Sequence, residues 1–300
     1  MQNHPISIDI APRSRDIIET PIEQESIIGV HAVKFFESYY LDDPIVPGRV
    51  FDLFAPEKAT RPIALFFVHG GGWRAGSRTG FHEIMQGFNR EGFICAAADY
   101  RLDVDAFRQL QDIREAYMAF ADWLRQRRRP ARIAVHGSSA GAHLAGLLLL
   151  APPGAAGEPW NPARQWLKPE AGMLQATPVE FAPWPDIFPP IAAEMARAAG
   201  KSYAEAPERY RQLSLSSYLG PDNPPLLFLE AENEHMFPSR MVTDFLHRQQ
   251  ALGVPSEQKF YTMAEHGFFY DLTRRQQLEA FRDMLDFLAR RENAQPGSTC

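Results

Sequence analysis

Ile133-Ala134-Val135-His136-Gly137-Ser138-Ser139-Ala140-Gly141-Ala142-His143-Leu144 decides how the rest of the chain is read. The apolar run Ile133–His136 reads as a strand buried on both faces, and the apolar residues from Ala142 to Leu150 read as a buried helix. Between them stands G-x-S-x-G, a pattern that in a strand–turn–helix setting forms a nucleophile elbow. The sharp turn puts the central residue, Ser139 rather than Ser138, in a strained backbone conformation. The flanking glycines let strand and helix backbones approach closely, and the helix N-terminus favours negative charge developing beside the serine.

On either side of this segment, short strand-like runs alternate with helical patterns. The strands expected are His31–Phe36, Arg49–Phe54, Ile63–Val68, Phe93–Ala98, Met173–Thr177, Leu226–Glu230 and Gln258–Tyr261, besides Ile133–His136. The first two have no helix between them and are expected to pair as an antiparallel edge. Phe107, Leu110, Ile113, Tyr117, Phe120 and Leu124 recur at helical spacing. So, nearly, do Val242, Phe245, Leu246, Gln249 and Leu252, and a closing helix carries Leu278, Phe281, Leu285 and Leu288. This alternation predicts an α/β fold with a mainly parallel, twisted sheet covered by helices on both faces.

His69-Gly70-Gly71-Gly72-Trp73 follows the Ile63–Val68 strand. Glycines at that place allow backbone N–H groups to approach a substrate oxygen. Gly71 and Gly72 are the expected oxyanion donors, joined by the Ala140 amide. A base and an orienting acid are then needed later in the chain, in the order serine, acid, histidine. His266, in Ala264-Glu265-His266-Gly267-Phe268, falls in a short loop after the last strand, on the carboxyl edge that Ser139 occupies. The acid comes from Glu230-Ala231-Glu232-Asn233-Glu234, where Glu234 is preferred because it lies beyond the strand end, with Glu232 and Glu230 as alternatives. His69 and His136 read as structural groups hydrogen-bonded to the loops that hold the glycines.

Together, the His69–Trp73 loop, the Asp99-Tyr100-Arg101-Leu102 turn, the Ser139 elbow and Glu265-His266-Gly267-Phe268 resemble the α/β-hydrolases of the hormone-sensitive-lipase and feruloyl-esterase-like carboxylesterase group. The likeness runs in order over about residues 45–290 and weakens over 1–30 and 150–215. Aligning Met236-Phe237-Pro238 with the group's usual segment places Glu234 where an aspartate normally stands. The resemblance implies a serine hydrolase that cleaves carboxylic esters through Ser139, His266 and Glu234. Trp73 after the glycines also resembles the arylformamidase branch, which keeps an N-formyl amide substrate open. A non-catalytic binding protein of this fold is the third reading, weakened by the presence of every triad candidate.

Composition bounds the remainder. With 300 residues, 45% hydrophobic and 23% charged, the chain can bury a sizeable core. A net charge of −6 argues against a broad nucleic-acid footprint. The run Arg125–Arg129 reads as a solvated helix cap. Two cysteines, Cys95 and Cys300, make no disulfide framework and suit a reducing compartment. No metal-ligand spacing, P-loop or dinucleotide fingerprint occurs, so no metal and no cofactor are expected. The start of the chain lacks a signal-like apolar region, and no run is long enough to span a membrane. A cytoplasmic protein is expected, acting on a small-molecule ester, with no nucleic-acid or membrane partner and a homodimer left open. Eleven of the 25 prolines lie between residues 152 and 215. They suggest one domain with its core over about 45–176 and 216–294 and a cap inserted over about 177–215. Residues 1–30 are a candidate contributor to that cap, and helical pattern within it is expected only around Pro190–Gly200.

Overall fold

The structure, a computed structural model, describes residues 33–42, 46–129 and 132–293. The expectations for residues 1–30, for the first two residues of the His31–Phe36 strand and for Cys300 lie outside these residues.

Eight strands form one sheet: β1 (Val33–Tyr40), β2 (Val50–Pro56), β3 (Ile63–Val68), β4 (Cys95–Ala98), β5 (Arg132–Ser138), β6 (Ala171–Gln175), β7 (Leu226–Asn233) and β8 (Glu257–Glu265). Their spatial order is β1-β2-β4-β3-β5-β6-β7-β8. β2 runs antiparallel to both β1 and β4, and every other neighbouring pair is parallel. The expected antiparallel edge is therefore present. β3 and β4 are buried at every position, as their unbroken apolar runs require of strands covered on both faces.

Helices α1 (His82–Arg90), α2 (Ala106–Gln126), α3 (Ala140–Leu150), α4 (Pro189–Ala199), α5 (Pro207–Leu213), α6 (Ser239–Ala251) and α7 (Arg275–Glu292) complete the layers. One core joins α2, α3 and α6 to one sheet face through Tyr117, Leu144, Phe228 and Phe245. The other joins α1 and α7 to the opposite face through Phe67, Phe88, Met284 and Phe287. All eleven residues of α3 are buried, which explains why it is apolar all round rather than amphipathic. Among the described residues no helix is long and apolar enough to cross a membrane.

Several details differ from expectation. Helix α1 was not anticipated, and the proline-rich segment holds α5 as well as α4, each with proline in its first turn, where the missing N–H costs nothing. β6 ends at Gln175 instead of Thr177 because Ala176 turns out of the strand with φ of 50°. α7 presents Gln277 to the interior and leaves Leu278 39% exposed, so its buried face is offset by one residue from the expected stripe. The run Arg125–Arg129 is exposed at the end of α2, as expected of a solvated cap, with the Arg127 guanidinium carbon 4.4 Å from the centroid of the Trp123 ring.

Candidate active site

β5 ends at Ser138, α3 begins at Ala140, and Ser139 makes the turn between them with φ 54° and ψ −122°. That conformation is costly for a residue with a Cβ and persists only where its surroundings over-determine it. Ser139 N–H donates to the Gln175 carbonyl at 2.9 Å, and its own carbonyl accepts from His143 N–H at 3.0 Å. The elbow glycines are required by contact. A Cβ on Gly137 would stand 2.4 Å from the Gly141 carbonyl oxygen, and one on Gly141 would stand 2.2 Å from that of Val68.

Because β5, β7 and β8 are parallel, their carboxyl ends open on the same sheet edge. The loops there bring Ser139, His266 and Glu234 together. Ser139 Oγ lies 2.8 Å from His266 Nε2, and His266 Nδ1 lies 2.8 Å from Glu234 Oε2 and 3.0 Å from Oε1. Glu234 Oε1 also accepts from the N–H groups of Met236 at 2.8 Å and Phe237 at 3.2 Å. Burial pushes this carboxyl up, but the His266 hydrogen bond and charge, with the two N–H donors, hold it below the usual range. Glu232 goes elsewhere, accepting from Met263 N–H at 3.0 Å. Glu230 is buried, and burial together with the Glu234 charge pushes it up to about 8.

The His69–Trp73 loop passes directly beside Ser139, since a Cβ on Gly70 would come within 3.3 Å of Ser139 Cβ. Its carbonyls are anchored away from the site. That of Gly70 accepts from His69 Nδ1 at 2.8 Å, and that of Gly71 accepts from the Arg74 and Ala75 N–H groups at 3.2 and 2.9 Å. In a trans peptide the next N–H points the opposite way. The N–H groups of Gly71, Gly72 and Ala140 make no hydrogen bond among the described residues.

Tyr270 and Gln175, not anticipated from the sequence, hold this arrangement together with Tyr100 and Trp73 of the motifs already quoted. Tyr270 accepts from Gly70 N–H at 3.0 Å and stacks on Phe81. Tyr100 donates to the His69 carbonyl at 2.9 Å and stacks on the His69 ring. With its amide oriented to satisfy both ends, Gln175 donates to Ser138 Oγ at 2.9 Å and accepts from the Phe268 and Phe269 N–H groups at 2.7 and 3.1 Å, tying the elbow to the His266 loop. Trp73 is a buried strut, its Nε1–H donating to His143 Nδ1 at 3.1 Å, while His143 Nε2 donates to the Leu213 carbonyl at 2.7 Å. Burial lowers His143 to about 4 and His136 to about 3, so both are neutral. His69 bonds the glycine loop as expected. His136 does not, donating instead to the Met173 carbonyl on the neighbouring strand at 2.9 Å. Phe237, against which Trp184 packs, covers His266 with ring centres 5.9 Å apart.

The family described as BD-FAE matches residues 51–248. The probable carboxylic ester hydrolase LipM of Mycobacterium tuberculosis is 24% identical over 201 residues, covering 62% of this chain and 44% of LipM. The chain thus spans less than half the length of that relative. Esterase B from Lactobacillus rhamnosis is structurally similar with a TM-score of 0.71 at 20% identity, covering 86% of each chain. The thermophilic esterase Est2 of Thermogutta terrifontis gives 0.64 at 21% identity, covering 83% of this chain and 90% of Est2. The same esterase phosphonylated by sarin gives 0.68 at 20% identity, covering 80% and 89%. At such identities these likenesses speak for the fold alone.

Proposed function

The chain belongs to the BD-FAE family and has the α/β-hydrolase fold, and from that premise we propose that it is a serine hydrolase of carboxylic esters. The observation that carries the reading is the unbroken relay from Ser139 Oγ through His266 to Glu234, each step at 2.8 Å. Relatives named as ester hydrolases support it.

Ser139 Oγ attacks the ester carbonyl while His266 Nε2 takes its proton. Glu234 keeps the other ring proton on Nδ1 and stabilises the imidazolium that forms. The N–H groups of Gly71, Gly72 and Ala140 hold the oxygen that becomes negative, a contribution of about 3 kcal/mol for each donor in comparable sites. The tetrahedral intermediate collapses, the carbon–oxygen bond to the alcohol breaks, and His266 returns its proton to the leaving oxygen. Water, deprotonated by His266, then attacks the Ser139 acyl ester and releases the carboxylic acid. Protons move only between Ser139, His266, substrate and water, so the cycle calls on no cofactor. The segment 177–215, which carries α4 and α5, serves as the cap over this edge and bounds the small-molecule substrate.

Ser139→Ala is expected to abolish turnover of a nitrophenyl ester, and retained turnover would overturn the assignment. The same triad would serve an N-formyl amide. The tryptophan that suggests one is, however, a buried strut rather than a pocket wall. Side-by-side rates on a short ester and on N-formylkynurenine separate the two, with the ester expected to be preferred.

A further inference from the structure

The oxyanion loop has a further anchor, from the proline-rich segment. Arg197, in α4, donates from its guanidinium to the Gly72 carbonyl at 3.0 Å. Glu194, one helical turn earlier, pairs with Arg197 at 3.1 Å and with Arg74 of the loop at 2.6 Å. Arg197 is also close enough to Tyr100, beneath the loop, for its charge to bear on that hydroxyl.

Gly72 needs this anchor. Its φ is +59°, and a Cβ built on it would meet nothing within 4 Å, so no side chain limits how its backbone turns. The peptide before it is pinned by the turn through the Gly71 carbonyl. The peptide after it is held by Arg197 alone among the hydrogen bonds of the described residues. The Gly72 N–H lies in the first of these planes, and holding the second keeps the two from turning against each other about the unhindered Gly72 Cα, the preorganisation that such sites require.

We propose that Arg197 is a positioning residue of the oxyanion hole, by which helix α4 of the cap sets the Gly72 peptide and hence the donors beside Ser139. Arg197 touches neither substrate nor the reacting atoms. It makes the position of the cap a determinant of the rate of the chemical step. The inference rests on the serine-hydrolase reading above.

The test compares Arg197→Met, which keeps the aliphatic stem and loses the donor, with Arg197→Lys, which keeps a cationic donor. Both are assayed on a short nitrophenyl ester and for their rate of phosphonylation by a nitrophenyl phosphonate, with thermal unfolding followed alongside. Loss of an oxyanion donor costs ~100-fold or more, so partial loss of its orientation in Arg197→Met is expected to lower kcat and the phosphonylation rate by about tenfold. KM and the unfolding temperature should stay close to those of the parent, and Arg197→Lys should recover part of the rate. Wild-type kcat in Arg197→Met, a change confined to KM, or a lysine variant no better than methionine would overturn the inference. Ser139→Ala in the same assay tells the two failures apart. Full turnover there removes serine hydrolysis itself. Its loss, with wild-type kcat in Arg197→Met, removes only the positioning role.

Discussion

Replacing Glu234 by Gln changes one atom of the carboxylate, and the structure dictates which way the new amide must face. Oε1 accepts from Met236 and Phe237 N–H at 2.8 and 3.2 Å, two donors that an NH2 group cannot satisfy. The amide oxygen therefore stays on that side and the NH2 turns to His266 Nδ1, where Oε2 now lies at 2.8 Å. Oε1 also lies 3.0 Å from Nδ1 but is shared with those two N–H donors, so the nearer NH2 donates, which makes Nδ1 the acceptor and moves the ring proton to Nε2. Nε2 is the atom 2.8 Å from Ser139 Oγ, and in that tautomer it has no lone pair with which to take the serine proton. A wrong-tautomer histidine in a serine hydrolase costs about ten-thousand-fold in kcat, or ~5.4 kcal/mol at about 1.36 kcal/mol per tenfold. Glu232→Gln is the control, because among the described residues that carboxyl accepts only from Met263 N–H, at an exposed site, and the change should alter kcat by less than about threefold. Steady-state kcat on a nitrophenyl ester reads both. Equal losses in the two variants, or Glu234→Gln within about tenfold of the parent, would refute this assignment of the tautomer.

Gly141→Ala should lower stability by about 3 kcal/mol or more and remove activity, since its Cβ would meet two backbone oxygens, of Val68 and His69, at 2.2 and 2.3 Å; a normal denaturant midpoint would contradict the close approach. Tyr270→Phe leaves the buried Gly70 N–H without its acceptor, costing about 1–3 kcal/mol of stability and lowering kcat, both checked by unfolding and turnover. Glu230 holds a proton in the folded chain between its ordinary 4.5 and about 8 that the unfolded chain has released, so stability falls as pH rises through that window. Glu230→Gln should match the parent near pH 4.5 and exceed it in unfolding temperature increasingly towards pH 8. A difference that does not vary with pH would show that the group does not titrate there.

The parts of the fold that were legible in the sequence are those whose signal is local. β3 and β4 are continuous apolar runs, α2 repeats its apolar residues at helical steps, and the elbow carries its strand and helix with it. Helix α1 escaped because its buried residues Ile84, Met85 and Phe88 are set among polar ones and beside Gly87, in only nine residues. The offset of α7 has a specific cause. Gln277 is drawn inward by its hydrogen bonds, accepting from Arg274 N–H at 2.7 Å and donating to the Phe268 carbonyl at 2.9 Å, and Leu278 is turned out with it. Motif spacing was enough to single out Ser139, Gly71, Gly72, Ala140 and His266 as candidates. The choice among three nearby glutamates depended on which reaches His266 in space. Tyr270, Gln175 and Arg197 could not be read at all, because the groups they hold are far away in the chain; Tyr270 is 200 residues from Gly70 and Arg197 is 125 from Gly72.

A nucleophilic Ser139, activated by His266 and attacking beside the Gly71–Gly72 loop, is the residue that an organophosphonate should mark. Treating the protein with a nitrophenyl phosphonate and mapping the modified peptide by mass spectrometry tests it at the atom concerned. The expected result is an adduct on Ser139, forming in step with the loss of ester turnover and absent from Ser139→Ala. An adduct on another residue, or full turnover after Ser139 has been completely modified, would contradict it.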